Sequence, residues 1–390
     1  MNQIAFVAQG RLYVQTPRGV REVQSQFGES IRSREMDIQQ RNAWKTRGTG
    51  ASFRGFAAMN AVEIDPSEMP IHVTSVAGGV DHFLYTLETP VICGLLRAEK
   101  LGEDEQRLWH CNERKIGDLS RHPTEPRVAC TMRNANHTSS IAVMSAEGSG
   151  LQRCTEGDSI DMAPRWIPGS ATRLVFQSAG VGRNQDGMPA GRSPFSVQEL
   201  DTDTGNLETV IESSESDFLA PQYDASGALY FIRRPYLFGK NQPWWKTVLD
   251  IVLLPWRLFL ALFGFLNFFT MLFTGKPLMT SAGSPESKID TGRMILWGNL
   301  IDARKALRKA RGEEAPDLVP KSWELVKRAS NGDETILARG VVSYDLCPDG
   351  SILYTNGSAI FSRTPDGKVE KLAKHSYIQQ VVALTSSDLS

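Results

Sequence analysis

A hydrophobic–hydrophobic–aromatic triplet recurs along this 390-residue chain and constrains its fold more than any other feature. It appears as Ile4-Ala5-Phe6, Phe83-Leu84-Tyr85, Val128-Ala129-Cys130 (Cys in the aromatic place), Leu174-Val175-Phe176, Leu229-Tyr230-Phe231 and Ile352-Leu353-Tyr354. Turn-forming stretches lie just before the last four: "HPTEPR", "IPGSATR", "DASGA" and "CPDGS". After most triplets come a loop, a strand-like run such as "SSIAVMSAEG", and a short polar–apolar strand such as "KVEKLA". Short apolar runs bounded by Gly, Asp and Pro are the pattern of strands, so each unit holds about four of them.

The turn positions Pro123, Pro168, Ala225 and Pro348 lie 45, 57 and 123 residues apart. The last gap contains an 87-residue block, 234–320, and without it the spacing is 36. Four strands repeating every roughly 40–45 residues make a propeller blade. The segments "SIDMAPRWIPGSATRLVFQSAG" and "VVSYDLCPDGSILYTNGSAIFSRTPDGKVEKLAKH" resemble the TolB-type, WD-like β-propeller repeat, with its S-P-D-G turn, I-A-F strand and I-Y-x-x-x-x-D-G strand. The resemblance covers residues 1–27 and about 70–390 apart from the block. It is strongest over Cys347–Gly367 and weakest in the second unit, where "SVAGGVDHFLY" has no S-P-D-G turn. It implies protein binding on a propeller face.

Counting units gives an all-β, six-bladed β-propeller with a mainly helical apolar insertion in blade five. The expected divisions are 1–233 for blades one to five (first part), 234–320 for the insertion, and 321–390 for the rest. The first triplet has no strand before it, and a spare strand, Tyr377–Leu384, follows the sixth unit. Pairing the two closes the ring and removes its exposed edges. The lengthened segments are the connection from blade one to two (28–70), "AGVGRNQDGMPAGRSP" in blade four, and the block in blade five. In a four-stranded blade all three positions fall on one face. Function is usually grafted onto such loops.

Within the block, "LDIVLLPWRLFLALFGFLNFFTMLF" (Leu249–Phe273) is the most apolar stretch of the chain. A helix start is expected after Pro243, a kink at Pro255, and an end at Gly275 and Pro277. Trp256–Phe273 spans about 27 Å as helix. "GRMILWGNLIDARKALRKAR" reads as an amphipathic basic helix. The flanking strands, "ALYFIRR" and "KSWELVK", are expected to be paired neighbours, so both ends of the block leave from one side. That argues against a single membrane crossing. Three readings stay open: an interfacial, monotopic element; a helical cap or partner interface; and a re-entrant or spanning hairpin.

The interfacial reading places Trp244, Trp245, Trp256 and Trp297 at headgroup level, with Phe259, Phe263, Phe268 and Phe269 in the apolar layer. Lys246, Arg257, Arg304, Lys305, Arg308 and Lys309 then face anionic lipid. Charge distribution agrees with this. The net charge is −1, but 233–312 holds thirteen Lys/Arg and four Asp/Glu, so it carries +9 and the rest −10. Cations flanking an apolar run, with no polar basic stripe, argue against a nucleic-acid partner. The connection "SIRSREMDIQQRNAWKTRGTGASFRG" reads as a flexible basic arm, with Trp44, Lys45, Arg47 and Arg54 as candidate partner contacts.

Cofactor and catalytic signals are weak. Gly48-x-Gly50 follows no βαβ pattern and has no Walker spacing. His72, His82, His110, His122, His137 and His375 show no metal-ligand spacing, so no metal or cofactor is expected. Asp118, Asp161, Asp217 and Asp345 lie in first strands but share no register, which argues against a carboxylate ring. "GRNQDG" offers Asn184 and Asp186 as cation ligands, with a plain turn as the simpler reading. Five cysteines with no CxxC pair read as reduced thiols. "MNQIAFVAQGRLYV" has no basic n-region and no long apolar h-region, so no signal peptide is expected and the body is placed in the cytoplasm. The sequence thus points to a scaffold at the cytoplasmic side of a membrane that binds a partner protein. The alternative is a propeller hydrolase or lyase with its site at the channel mouth.

Overall fold

A computed structural model of the protein describes residues 3–16, 19–46, 70–79, 82–99, 104–237, 293–296, 299–302 and 315–384. The chain divides into two compact units, Met1–Tyr236 with Arg293–Ser390, and Leu237–Gly292. The first holds all of the described strands and the one described helix.

Its strands form successive meanders. The first has β1 (Gln3–Ala8), β2 (Arg11–Thr16) and β3 (Gly19–Val23), followed by α1 (Gln26–Thr46). The second has β4 (His72–Ala77), β5 (His82–Glu88), β6 (Cys93–Glu99) and β7 (Gln106–Cys111). The third has β8 (Lys115–Arg121), β9 (Arg127–Arg133), β10 (Ser139–Ser145) and β11 (Gln152–Arg153). The fourth has β12 (Ser159–Trp166), β13 (Arg173–Arg183), β14 (Pro189–Arg192), β15 (Ser196–Asp201) and β16 (Leu207–Ile211). The fifth has β17 (Ser216–Tyr223) and β18 (Leu229–Pro235), then, beyond the hairpin β19 (Arg293–Leu296) and β20 (Asn299–Asp302), β21 (Glu324–Arg328) and β22 (Glu334–Arg339). The sixth has β23 (Ser343–Leu346), β24 (Ile352–Thr355), β25 (Ala359–Arg363) and β26 (Val369–Lys374). The final strand, β27 (Ile378–Leu384), pairs antiparallel with β1, giving the order β27-β1-β2-β3. Pairing within each meander is antiparallel, and one parallel bridge, Ser139 to Ile160, joins the third to the fourth.

The triplets fall on the second strand of each meander and are buried throughout: Phe6, Phe83, Tyr85, Phe176 and Phe231 are fully enclosed. At about 1.5–3 kcal/mol per large apolar side chain, these residues dominate the core. The core is divided into six clusters, five of them shared by two meanders and one by the fourth, fifth and sixth. Phe83 and Val382 belong to the one between the first and second, and Phe6 and Leu353 to the one between the sixth and first.

Polar bonds tie the innermost strands of neighbouring meanders. Gln380 in β27 reads the backbone of β4 with both ends of its amide, Oε1 accepting from Val76 N and Nε2 donating to Val76 O, each at 2.9 Å. Leu119 N donates to Ser75 Oγ at 2.8 Å. In β12 and β17 a bulge puts Ala163 (φ 54°) and Ala220 (φ 49°) in the left-handed region. Their amides leave the ladder and are taken by side chains of the preceding meander: Ala163 N by Thr131 Oγ1 (3.2 Å), Ala220 N by Gln177 Oε1 (2.7 Å). Tyr344 donates to Ala220 O at 2.6 Å, and Asp345 accepts from Ala383 N at 2.9 Å. A left-handed non-glycine residue costs about 1–2 kcal/mol, which the satisfied amide offsets.

Two sequence expectations are corrected. Residues 293–296 and 299–302, read as part of an amphipathic helix, are instead the paired strands β19 and β20, with Leu296 opposite Asn299. The Met-Ile-Leu and Leu-Ile runs have apolar, β-branched character and sit either side of a residue–Gly pair, which is a hairpin pattern as well as half a helical one. The blade-one-to-two connection, read as a flexible arm, begins as the helix α1. Its start is held by a distant acid. Glu105 accepts from Gln26 N (3.2 Å), Phe27 N (2.9 Å) and Ser25 Oγ (3.2 Å), and Ser25 Oγ caps Gly28 N at 3.1 Å. A carboxylate on the first free amides also complements the helix dipole.

Candidate functional site

The end of the meanders that carries the lengthened segments is braced where they leave it. β18 pairs with β21, Arg233 opposite Glu324, so the insertion departs from and returns to adjacent strands. At the departing end Asp217, fully buried at the start of β17, takes a bidentate contact from Arg192 (2.9 Å to each oxygen), Arg234 Nε at 2.8 Å and Phe195 N at 2.9 Å. Burial alone would raise the Asp217 carboxyl. Arg192, Arg234 and the Phe195 amide overcome this and hold it below the usual carboxylate value. The Arg192 guanidinium lies 4.4 Å from the Phe195 ring centre and 5.4 Å from that of Tyr236, and Arg234 lies 4.8 Å from the Trp323 ring. Tyr236, at the edge of the insertion, donates through its hydroxyl to Arg192 O and through its amide to Glu215 O. The long segments of the fourth and fifth meanders therefore share one buried ion cluster.

The returning end is stitched to the sixth meander. Asn356 Nδ2 donates to Ala315 O (3.0 Å) and Asp317 Oδ1 (2.9 Å), Ser358 Oγ donates to Pro316 O (2.6 Å), and Leu318 N donates to Asn356 O (3.0 Å). Gly357 (φ 92°) is required here, because a side chain would collide with Leu318. The third long segment starts on the second meander, where Phe27 packs against Gly94 and Arg107 stacks 5.1 Å from its ring. Beyond Ile31, α1 becomes solvent-exposed at Met36 and Ile38.

Of the residues singled out in the sequence, Trp244, Trp245, Lys246, Trp256, Arg257, Phe259, Phe263, Phe268, Phe269, Trp297, Arg304, Lys305, Arg308 and Lys309 lie outside the described residues, as do Arg47 and Arg54. Trp44 and Lys45 fall in the last turn of α1, with side chains outside the described set. Asn184 caps its own turn, its Oδ1 accepting from Asp186 N and Met188 N. The four first-strand aspartates do different work. Asp118 accepts from Thr131, Asp161 from Ser178, Asp217 holds two arginines and Asp345 meets Ala383. His122 is a turn cap, its Nδ1 accepting from Thr124 N and Glu125 N and its Nε2 meeting Ser170 O. Among the described residues no cluster of His, Cys, Asp and Glu can hold a metal ion, and no helix is long and apolar enough to cross a membrane. The five cysteines are free thiols.

A feature invisible in the sequence lies at the other end of the innermost strands. There Ala77 (β4), Arg121 (β8), Arg165 (β12), Gln222 (β17), Asp345 (β23) and Ala383 (β27) line a cavity of about 300 Å³. Six strands far apart in the chain each contribute, so no local motif marks it.

No protein-family model matches this sequence, and no curated protein matches it. Solved structures do. A chain of the nidogen/laminin complex aligns with a TM-score of 0.51 at 8% identity, over 98% of this chain and 98% of that one. TolB from Acinetobacter baumannii aligns with a TM-score of 0.51 at 11% identity, over 98% of this chain and 67% of that one. At such identities the likeness concerns fold alone. Together with the consecutive antiparallel meanders, it identifies the architecture of this chain as a TolB-like β-propeller.

Proposed function

We propose that the six meanders are six blades of a ring closed by β27, and that this ring is a scaffold at a membrane surface, docking a partner protein on the face with the long segments. The observation that carries the reading is the bracing of that face, where the departing and returning ends of the insertion are both tied into the propeller wall. A braced exit transmits load from an anchored insertion to a rigid body, which a frayed exit would not. Ring closure is supported by the six shared core clusters and by the polar bonds tying the innermost strand of each meander to a neighbouring meander.

In this reading the insertion is monotopic and lies on the cytoplasmic side. Its tryptophans sit among headgroups, its phenylalanines dip below them, and Lys246, Arg257 and the 304–309 cations meet anionic lipid. Trp44, Lys45, Arg47 and Arg54 extend the partner surface from α1. Co-sedimentation with phosphatidylserine-containing vesicles tests the anchor. The full chain is expected to pellet with them and less with neutral vesicles, while a chain lacking 243–276 stays in solution. A full chain that stays in solution with both vesicle types refutes the anchor.

A further inference from the structure

The cavity at the far end of the innermost strands has no role in the reading above, and its lining has an unbalanced charge. Arg121 is partly buried at the end of β8, where its main chain pairs with Val128, and among the described residues its side chain makes no ion pair and no hydrogen bond. Its guanidinium packs against Gly79, where a Cβ would meet both Nη1 and the carbonyl of His82. Arg165, from the next meander, makes one hydrogen bond, Nη1 to Leu119 O at 2.9 Å. A single carboxyl, Asp345, faces these two cations in the lining, and its Oδ2 is already committed to Ala383 N at 2.9 Å. Burial raises this carboxyl above its ordinary value, against the opposing pull of Arg165. A partly desolvated guanidinium without a counter-ion is costly, and with Arg121 beside Arg165 the lining holds one cation more than its single carboxyl can balance.

The shape narrows the anion. A volume of about 300 Å³ stands at the small end of ligand pockets. Trp166, Leu346 and Val382 give part of the wall an apolar surface, which suits a short carbon chain more than a bare inorganic ion. Planar guanidinium groups match a carboxylate in fork geometry. We propose that this cavity is a binding site for a carboxylate on a short aliphatic body, held by Arg121 and Arg165. The carboxylate is that of a small free acid or the C-terminus of a peptide, and the same two arginines serve either.

Isothermal titration of the full chain tests this with four probes: butyrate, succinate, a tetrapeptide ending Ala-Val with a free C-terminus, and the same peptide amidated. Binding of either small acid assigns the site to free acids, and binding of the free but not the amidated peptide assigns it to chain ends. Arg121→Gln and Arg165→Gln are each expected to weaken the bound probe by about tenfold or more, and Asp345→Asn to strengthen it. Arg121→Gln breaks no described hydrogen bond, so it carries the test should Arg165→Gln fail to fold. Absence of binding by all probes below about 10 mM, equal binding of free and amidated peptide without binding of either acid, or an unchanged affinity in Arg121→Gln would overturn the proposal. None of these readouts involves a membrane or a partner protein, so they stand or fall apart from the scaffold reading.

Discussion

At the foot of the insertion two arginines share one carboxylate, with Asp217 and Arg234 fully buried. Such a cluster is costly to assemble and more costly to break, because removing the acid strands two cations; breaking a buried pair typically costs about 3–5 kcal/mol. Asp217→Asn is therefore expected to lower the melting temperature at neutral pH. It also sets a pH signature. A carboxyl held below its ordinary value of 3.8 stabilises the fold above that value and loses its contribution as pH falls through the lower native value. The variant should show a shallower acid limb than the wild type, and parallel acid limbs would refute the pairing. Little at this scale was legible in the sequence. Asp217 is recognisable as a first-strand aspartate, but its partners come from β14 and β18, and only the fold brings them together.

Among the elements, legibility followed periodicity. The six triplets mark β1, β5, β9, β13, β18 and β24 because those strands are buried on both sides and must be continuously apolar. The pairing of β18 with β21 across the insertion followed from the same logic. What failed was α1 and the β19–β20 hairpin. Over its described face α1 buries little beyond Phe27 and Ile31, so it has no apolar stripe to read, and its cap comes from Glu105, on the second meander. Glu105 also accepts from Tyr85 OH at 2.5 Å, and burial together with this carboxylate pushes the Tyr85 phenol up. Glu105→Ala is expected to cost about 1–3 kcal/mol locally and to speed amide exchange across residues 26–35, with Glu105→Gln intermediate. Unchanged exchange in that segment would show that α1 does not depend on this acid.

For the molecule as a whole, β27 is the element on which the proposed ring depends. It buries Ile378, Val381, Val382 and Leu384, and its Gln380 amide satisfies both backbone groups of Val76. Four such side chains amount to roughly 6–12 kcal/mol at about 1.5–3 kcal/mol each, similar to the entire stability of an ordinary domain. Removing 376–390 is expected to abolish cooperative thermal unfolding. A truncated chain with the wild-type transition would refute closure by this strand. The cavity belongs to this scale too: it exists only where six strands converge, which is why reading the chain one segment at a time could not reveal it.

The pairing of β27 with β1 also orders events in time. During synthesis the first sheet waits with one edge open until β27 emerges from the ribosome, whereas the insertion is exposed long before. An apolar segment delivered to a nascent, still-open chain can find its surface before the body becomes rigid. In the proposed anchored scaffold, the protein is then built in place at its surface, with β27 acting as the latch.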